Sequence, residues 1–190
     1  METSTTKQQL FSKDDLKKLI IPLLFEQALA ITVGMADTVM ISSAGEAAVS
    51  GVSLIDMFNN LIISVLAALA TGGAVVTSQF LGAGKKEDAC KSAKQLIVSS
   101  VCITIGISIL VMVFCNGIIS LFFGKIEADV FHNAVIYMMI SALSFPFLAL
   151  YNSCAALFRS MGNSQITLKV SVVENIINIG GNALGVYVLG

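Results

Sequence analysis

The sequence predicts an all-α membrane protein with about five transmembrane helices. Of its 190 residues, 56% are hydrophobic and only 12% are charged, and the mean hydropathy of +0.87 lies far above that of a soluble domain. Apolar and polar residues do not alternate over any long stretch and tryptophan is absent, so a barrel with aromatic girdles is not expected. Helices are the remaining way to satisfy backbone hydrogen bonds in lipid.

Five apolar runs are long enough to cross a bilayer, whose core of about 30 Å takes roughly 20 helical residues. A polar or glycine-containing loop separates each run from the next. We expect residues 1–18 to be a cytoplasmic segment and residues 19–190 to form one membrane domain. The predicted helices cover residues 19–41, 54–80, 95–123, 134–158 and 166–189.

The positive charges predict the orientation of these helices. Ten of the 11 lysines and arginines lie before the first run or around the turns that follow the second and fourth runs, and only Lys125 lies on the opposite side. Because cations near the ends of spans are retained in the cytoplasm, the N-terminus is expected there. The protein is therefore predicted to be a multi-pass protein of the cell membrane.

Several functional classes are not expected from this sequence. The net charge of -1 and the lack of a basic stripe argue against a nucleic-acid partner. The stretch around Lys85 is not a P-loop, since Gln79 stands where the first glycine would be and Lys86 where a Ser or Thr would be. His132 has no neighbours in sequence that would complete a metal site, and the four cysteines lack C-x-x-C spacing and are assigned to packing. We predict no enzymatic activity, no cofactor and no bound metal.

Acidic residues within the apolar runs are the main functional signal. A carboxylate at the centre of a membrane helix costs about 2.5–3.5 kcal/mol, which makes a neutral role improbable for Asp37. Glu26 precedes it by 11 residues, so both fall within about 20° on one helix face, roughly 16 Å apart along the axis. Both are assigned to ion or proton coupling. Asp56 is expected to lie at the outer water interface, without a function.

The fifth run repeats this signal as a polar stripe, because Ser171, Glu174, Asn178 and Asn182 recur every three or four residues. Such a stripe must face other helices or a water-filled cavity. A carboxylate opposite amides is how transporters build a cation or proton site, while the alternative is interhelical hydrogen bonding worth about 0.6 kcal/mol per contact. Asn178 and Asn182 are assigned to the coupling site. Glu174, Ser171 and Gln27 are assigned to a gate or a cavity wall.

Prolines and glycines predict features of the helices themselves. Pro22 and Pro146 lie inside predicted helices, where each removes a backbone hydrogen bond and favours a kink. A hinge and an ordinary kink are equally compatible with both positions. Gly72-Gly73 and the pair Gly181 and Gly185 predict close approach between helices.

Three stretches together resemble one family, the multidrug and toxic compound extrusion (MATE) transporters. In the first, residues 19–53, a helix that starts near a proline ends in an Asp-Thr pair before a glycine-containing loop. The second, residues 72–89, is similar to the family's Gln-x-x-Gly-Ala-Gly exit from its second helix. The third, residues 157–182, resembles the family's Arg-x-x-Gly turn and asparagine-rich fifth helix.

This resemblance implies twelve helices in two six-helix lobes, with access alternating between the two sides of the membrane. It also implies exchange of drugs or organic cations for H⁺ or Na⁺. Asp37 matches the family's first-helix acid of the coupling site, and Asn178 matches an asparagine of the same site. Asn182 stands where many members have a second aspartate, so the resemblance leaves Asp37, with Glu26, as the coupling group.

Five helices correspond to most of the N-terminal lobe of such a transporter. The sequence therefore predicts a cation-coupled antiporter, represented by a fragment whose partners are the lipid bilayer, the missing C-terminal lobe and an organic cation or drug. Two alternatives stay open. One is a flippase for lipid-linked precursors from the same superfamily, which the lack of central Arg or Lys disfavours. The other is a transport-inactive membrane fragment, which a reading frame ending at Gly190 would favour.

Overall fold

The computed structural model describes residues 13–42 and 45–184, and these residues fold into five helices. No strand occurs within these two ranges, so the predicted all-α fold is confirmed. The helices are α1 (Lys13–Ser42), α2 (Glu46–Gly82), α3 (Lys86–Phe123), α4 (Ala128–Ser160) and α5 (Ser164–Leu184). We call the end that carries the loops at 83–85 and 161–163 the basic end.

Most helices extend beyond the apolar runs that predicted them. α2 starts at Glu46 rather than at residue 54, and α3 starts at Lys86 rather than at residue 95. Acidic residues in both first turns complement the positive end of the helix dipole, so polar turns continue each helix past its apolar part. The N-terminal residues 1–12 and the predicted end of the last helix, residues 185–189, lie outside the described residues.

Four of the five described helices, α1 to α4, are long and apolar enough to cross a membrane. The described part of α5 does not reach that apolarity, because Lys169, Glu174 and three asparagines interrupt its apolar residues. A helix of this composition needs polar or protein neighbours on its polar face. α5 finds such a neighbour in α1, its main packing partner.

The helices pack as two units. α2, α3 and α4 pack on one another and form the three-helix bundle, whereas α1 packs mainly on α5 and forms the helix pair. Contacts between the units are sparser and run chiefly from α5 to α4 and from α1 to α2. The core of the bundle holds Ile55 from α2, Ile119 from α3 and Met138 and Phe145 from α4, each at most 1% exposed.

Glycine brings α2 and α4 together near the end opposite the basic end. A Cβ atom at Gly51 would lie 3.0 Å from the backbone nitrogen of Ala134 and 3.0 Å from the carbonyl oxygen of Val130. The two helices therefore approach as closely there as a glycine allows.

The other glycine pairs differ from the prediction. At Gly73 a Cβ atom would overlap Leu96 of α3, but at Gly72 and at Gly181 no atom of the described residues lies within 4 Å. Close approach is thus confirmed for Gly73 and is wrong, within the described part of the chain, for Gly72 and for Gly181. Gly185 lies outside the described residues.

Pro22 and Pro146 both lie inside continuous helices, α1 and α4. The backbone departure recorded in α3 occurs at Phe114, with φ -103 and ψ 16, where two helical segments meet at a kink. No proline is present at that point of the sequence. The kink or hinge role of the two prolines stays a prediction.

The Gly51 contact leads to a test of helix packing. Gly51→Ala is expected to lower the free energy of unfolding by about 1–3 kcal/mol relative to Gly72→Ala, because only the first methyl group meets backbone atoms. Both substitutions gain about 1 kcal/mol of helix propensity, so their difference isolates the contact. Thermal unfolding of both detergent-solubilised variants measures it, and equal melting temperatures would contradict the close approach of α2 and α4.

Candidate functional site

A polar cavity separates the helix pair from the three-helix bundle. It consists of two adjoining chambers of about 520 Å³ and about 390 Å³. The larger, which we call the near chamber, extends toward the basic end, and the smaller, the far chamber, extends toward the segment between α1 and α2. The residues that line both chambers are Gly34, Asp37, Asp56, Tyr137 and Asn178.

Asp37 stands on the wall that the helix pair contributes. The residues of α1 that line the cavity recur every three or four positions, and Asp37 is the one acid on this face of the lining. The side-chain amide of Asn182 in α5 donates a hydrogen bond of 2.8 Å from Nδ2 to Oδ1 of Asp37. The same nitrogen lies 3.1 Å from Oδ1 of Asn178. The structure therefore brings Asp37, Asn178 and Asn182 together, while their role in coupling stays a prediction.

A second carboxylate, Asp56, stands on the opposite wall, on α2. Because α2 starts at Glu46, Asp56 lies about 15 Å along this helix, and its expected place at the outer water interface stays a prediction. Tyr137 of α4 donates a hydrogen bond of 2.9 Å from its hydroxyl to Oδ1 of Asp56. Tyr137 also lies within electrostatic range of Asp37, so this tyrosine is close to an acid of each wall.

Further polar side chains continue the bundle's wall toward the basic end. Asn59, one turn after Asp56, donates from Nδ2 to the hydroxyl oxygen of Ser141 at 3.0 Å. The oxygen of the same amide, Oδ1, is buried and has no hydrogen-bond partner in residues 13–42 and 45–184. Both residues line the near chamber. The spacing of Asp56 and Asn59, three residues apart in an apolar run, is the signal from which this wall could have been predicted.

The residues assigned to a gate or cavity wall lie in different places. Glu174 lines the near chamber, with an exposed side chain. Ser171 is buried and accepts hydrogen bonds from Asn175 through its backbone and side-chain oxygens. Gln27 is exposed and lines neither chamber. Glu174 therefore lies on the wall of this cavity, and a gate or wall role stays a prediction for all three residues.

Glu26 occupies a separate polar cluster near the basic end. It lies on α1 where that helix meets the last turn of α4, and it is only 8% exposed. Its Oε1 lies 3.4 Å from an Nη atom of Arg159, while Oε2 is buried without a hydrogen-bond partner in the part of the chain that the structure describes. Tyr151 lies within electrostatic range of Glu26, Arg159 and Glu174. The structure thus places Glu26 beside an arginine rather than beside Asp37.

The lining of the two chambers determines what they can bind. Three carboxylates, those of Asp37, Asp56 and Glu174, face the chambers together with amides and hydroxyls, and neither lining contains a lysine or arginine. Oxygen ligands of this kind suit small hard cations and protons. Among the described residues no group of three or more His, Cys, Asp or Glu side chains could hold a metal ion.

Two curated relatives match most of this chain. It is 31% identical over 191 residues to an uncharacterised transporter of Bacillus subtilis, YisQ, a match that covers 95% of this chain and 42% of the relative. It is 25% identical over 172 residues to a probable multidrug resistance protein, NorM, of Thermotoga maritima, which covers 88% of this chain and 36% of the relative. The chain therefore spans less than half of either relative.

A solved structure and a family profile agree with these relatives. The structure of a MOP superfamily transporter from Pyrococcus furiosus superimposes with a TM-score of 0.85 at 21% identity, covering 94% of this chain and 39% of that chain. This likeness shows the fold, which corresponds to part of that longer chain. The MatE family profile matches residues 22–184, which include both walls of the cavity. This chain belongs to the MatE, or MATE, family of membrane transporters.

Proposed function

We propose that this chain is the coupling lobe of a cation-driven antiporter, which exports drugs or organic cations across the cell membrane in exchange for H⁺ or Na⁺. The observation that carries this proposal is a carboxylate, Asp37, held by the Asn182 amide on the wall of a polar cavity between two helix units. The Thermotoga relative is named a probable multidrug resistance protein, which supports drugs as the class of substrate.

Coupling follows from the charge of the cavity. A carboxylate inside a membrane protein has a high free energy unless a cation or a proton compensates it. When H⁺ or Na⁺ binds beside Asp37, the negative charge that attracts an organic cation is reduced, and the substrate's affinity falls. Exchange requires only that the two occupants favour different access states, because a ligand shifts an equilibrium by its difference in affinity for the two states.

The transport activity is proposed for this lobe together with a second, C-terminal lobe. The chain covers 42% and 36% of its curated relatives, and a pathway across the membrane needs walls on all sides. In this arrangement the lobe supplies the coupling site, and the lipid bilayer surrounds the apolar faces of α1 to α4. Residues 1–18 and the basic end are proposed to face the cytoplasm, because positively charged residues near the ends of membrane helices are retained on that side.

The charge of the lining also favours a cationic substrate over a lipid-linked anionic precursor. An anionic headgroup would meet the carboxylates of Asp37, Asp56 and Glu174 without a compensating lysine or arginine among the lining residues. Repulsion between like charges in a site of low dielectric constant is strong. A flippase for such precursors is therefore the less favoured function.

Glu26 is proposed to hold the basic end of the two units together rather than to carry the coupling ion. Its contact with Arg159 joins α1 of the helix pair to α4 of the bundle at 3.4 Å. This contact lies below the near chamber, on the side away from Asp37. Release of α1 from α4 at this point is a movement that would open the cavity toward the basic end.

Asp37→Asn is expected to abolish extrusion of a cationic dye in the complete transporter, because the amide keeps the size of the side chain and removes its charge. Dye efflux from proteoliposomes, driven separately by a proton gradient and by a sodium gradient, measures this loss and identifies the coupling ion. Asp129→Asn is the matched control, since Asp129 is an exposed acid in the first turn of α4 and lines neither chamber. Unchanged efflux by Asp37→Asn under both gradients would overturn the proposal.

The Glu26–Arg159 contact leads to a second test, a double-mutant cycle on the stability of the solubilised protein. Replacing Arg159 by Gln leaves the Glu26 carboxylate buried and is expected to cost about 1–2 kcal/mol. This is below the roughly 3–5 kcal/mol for breaking a fully buried pair, because the Arg159 side chain is 37% exposed. Glu26→Gln in addition should restore part of the melting temperature. If the two losses simply added, the residues would not be energetically coupled.

A further inference from the structure

The bundle's wall carries a carboxylate to which neither the family resemblance nor the fold gives a role. Asp56 lines both chambers, as Asp37 does, but it projects from α2 and so belongs to the other helix unit. Its described hydrogen bond comes from Tyr137, through Oδ1. Asp56 lies on the cavity wall among apolar helices, where a carboxylate is costly, and one neutral hydroxyl donor leaves its charge uncompensated.

An independent observation beside Asp56 points to a ligand. Among the described residues, the Oδ1 atom of Asn59 is buried without a hydrogen-bond partner, although the Nδ2 atom of the same amide is bonded to Ser141. A buried acceptor that lacks a donor keeps its full desolvation cost, so such atoms are rare in native proteins. Asn59 lines the near chamber one helical turn from Asp56. Both residues therefore offer oxygen atoms that a cation would satisfy.

The sequence departs from many family members at the position where this second carboxylate matters. Asn182, which donates to Asp37, replaces an acid that the resemblance places on α5. The helix pair thus brings one fewer carboxylate to the far chamber. Asp56 supplies a carboxylate to the same chamber from the opposite side.

We propose that Asp56 is the second coupling carboxylate of this transporter, and that the coupling cation is held between Asp37 on the helix pair and Asp56 with the Asn59 carbonyl oxygen on the bundle. This inference rests on the proposed antiport function and names a further residue of its site. A cation held in this way contacts both helix units. Its binding therefore draws the units together, and its release allows the like charges to separate them.

Asp56→Asn tests this assignment sharply, because asparagine retains an oxygen that can accept the Tyr137 hydrogen bond and removes only the charge. In the complete transporter, the concentration of H⁺ or Na⁺ that gives half-maximal efflux of tetraphenylphosphonium should rise at least about tenfold. For Asp56→Glu, this half-maximal concentration should lie within about threefold of the value for the unsubstituted protein. Asp129→Asn serves as the control for removal of an acid outside the cavity.

The comparison with Asp37→Asn separates the two ideas. If Asp37→Asn abolishes coupled efflux and Asp56→Asn keeps the normal ion dependence, Asp56 has only a structural role and the further inference is wrong, while the antiport proposal stands. If neither substitution alters efflux, the antiport site itself is wrong. A melting temperature for each variant identifies misfolding. Should Asp56→Asn fail to fold, the ion dependence of Asn59→Ala decides, because a rise of less than about twofold in the half-maximal concentration overturns the proposal.

Discussion

The cost of a carboxylate in a membrane is the constraint on which the arrangement of this lobe depends. Exposing Asp37 to lipid would cost about 2.5–3.5 kcal/mol of insertion free energy. The face of α1 that carries Asp37 must therefore be turned toward polar groups. α5 supplies them in the stripe that contains Asn178 and Asn182. The same stripe makes the described part of α5 too polar to resemble a lipid-exposed span. The pairing of α1 with α5, and the cavity beside them, follow from placing acid and amides on facing helices.

The division into two units gives the cavity its two independent walls. Within the bundle, glycine at position 51 and the buried side chains of Ile55 and Met138 hold α2 and α4 close together. Within the helix pair, the Asp37–Asn182 hydrogen bond joins α1 to α5. Contacts between the units are sparser, so a shift of one unit against the other disturbs little of the packing within either. Such a shift between rigid groups of helices is the common means by which transporters alternate their access.

Much of this fold could be predicted from the sequence, because apolar length alone determines membrane helices. Helical periodicity placed Asn178 and Asn182 on one face of α5, and the resemblance to the family placed them with Asp37. The hydrogen bond from Tyr137 to Asp56 could not be predicted, because it joins residues 81 positions apart in the sequence. The contact between Glu26 and Arg159 spans 133 residues of sequence. No local pattern predicts such a contact, and the shared face of Glu26 and Asp37 pointed to a common site that the structure divides between two polar clusters.

Two acidic residues on separate helix units respond to a movement between the units, whereas two acidic residues on one unit do not. Two carboxylates fixed to the same rigid wall repel each other whatever the conformation, so a bound cation changes their energy without favouring either access state. When Asp37 and Asp56 belong to different units, the distance between them changes as the units move, and the repulsion between them changes with it. A small cation that needs oxygens from both walls then stabilises the closed spacing, whereas a bulky organic cation stabilises a wider one. The two occupants differ in the geometry they favour, which is the condition that exchange of one for the other requires.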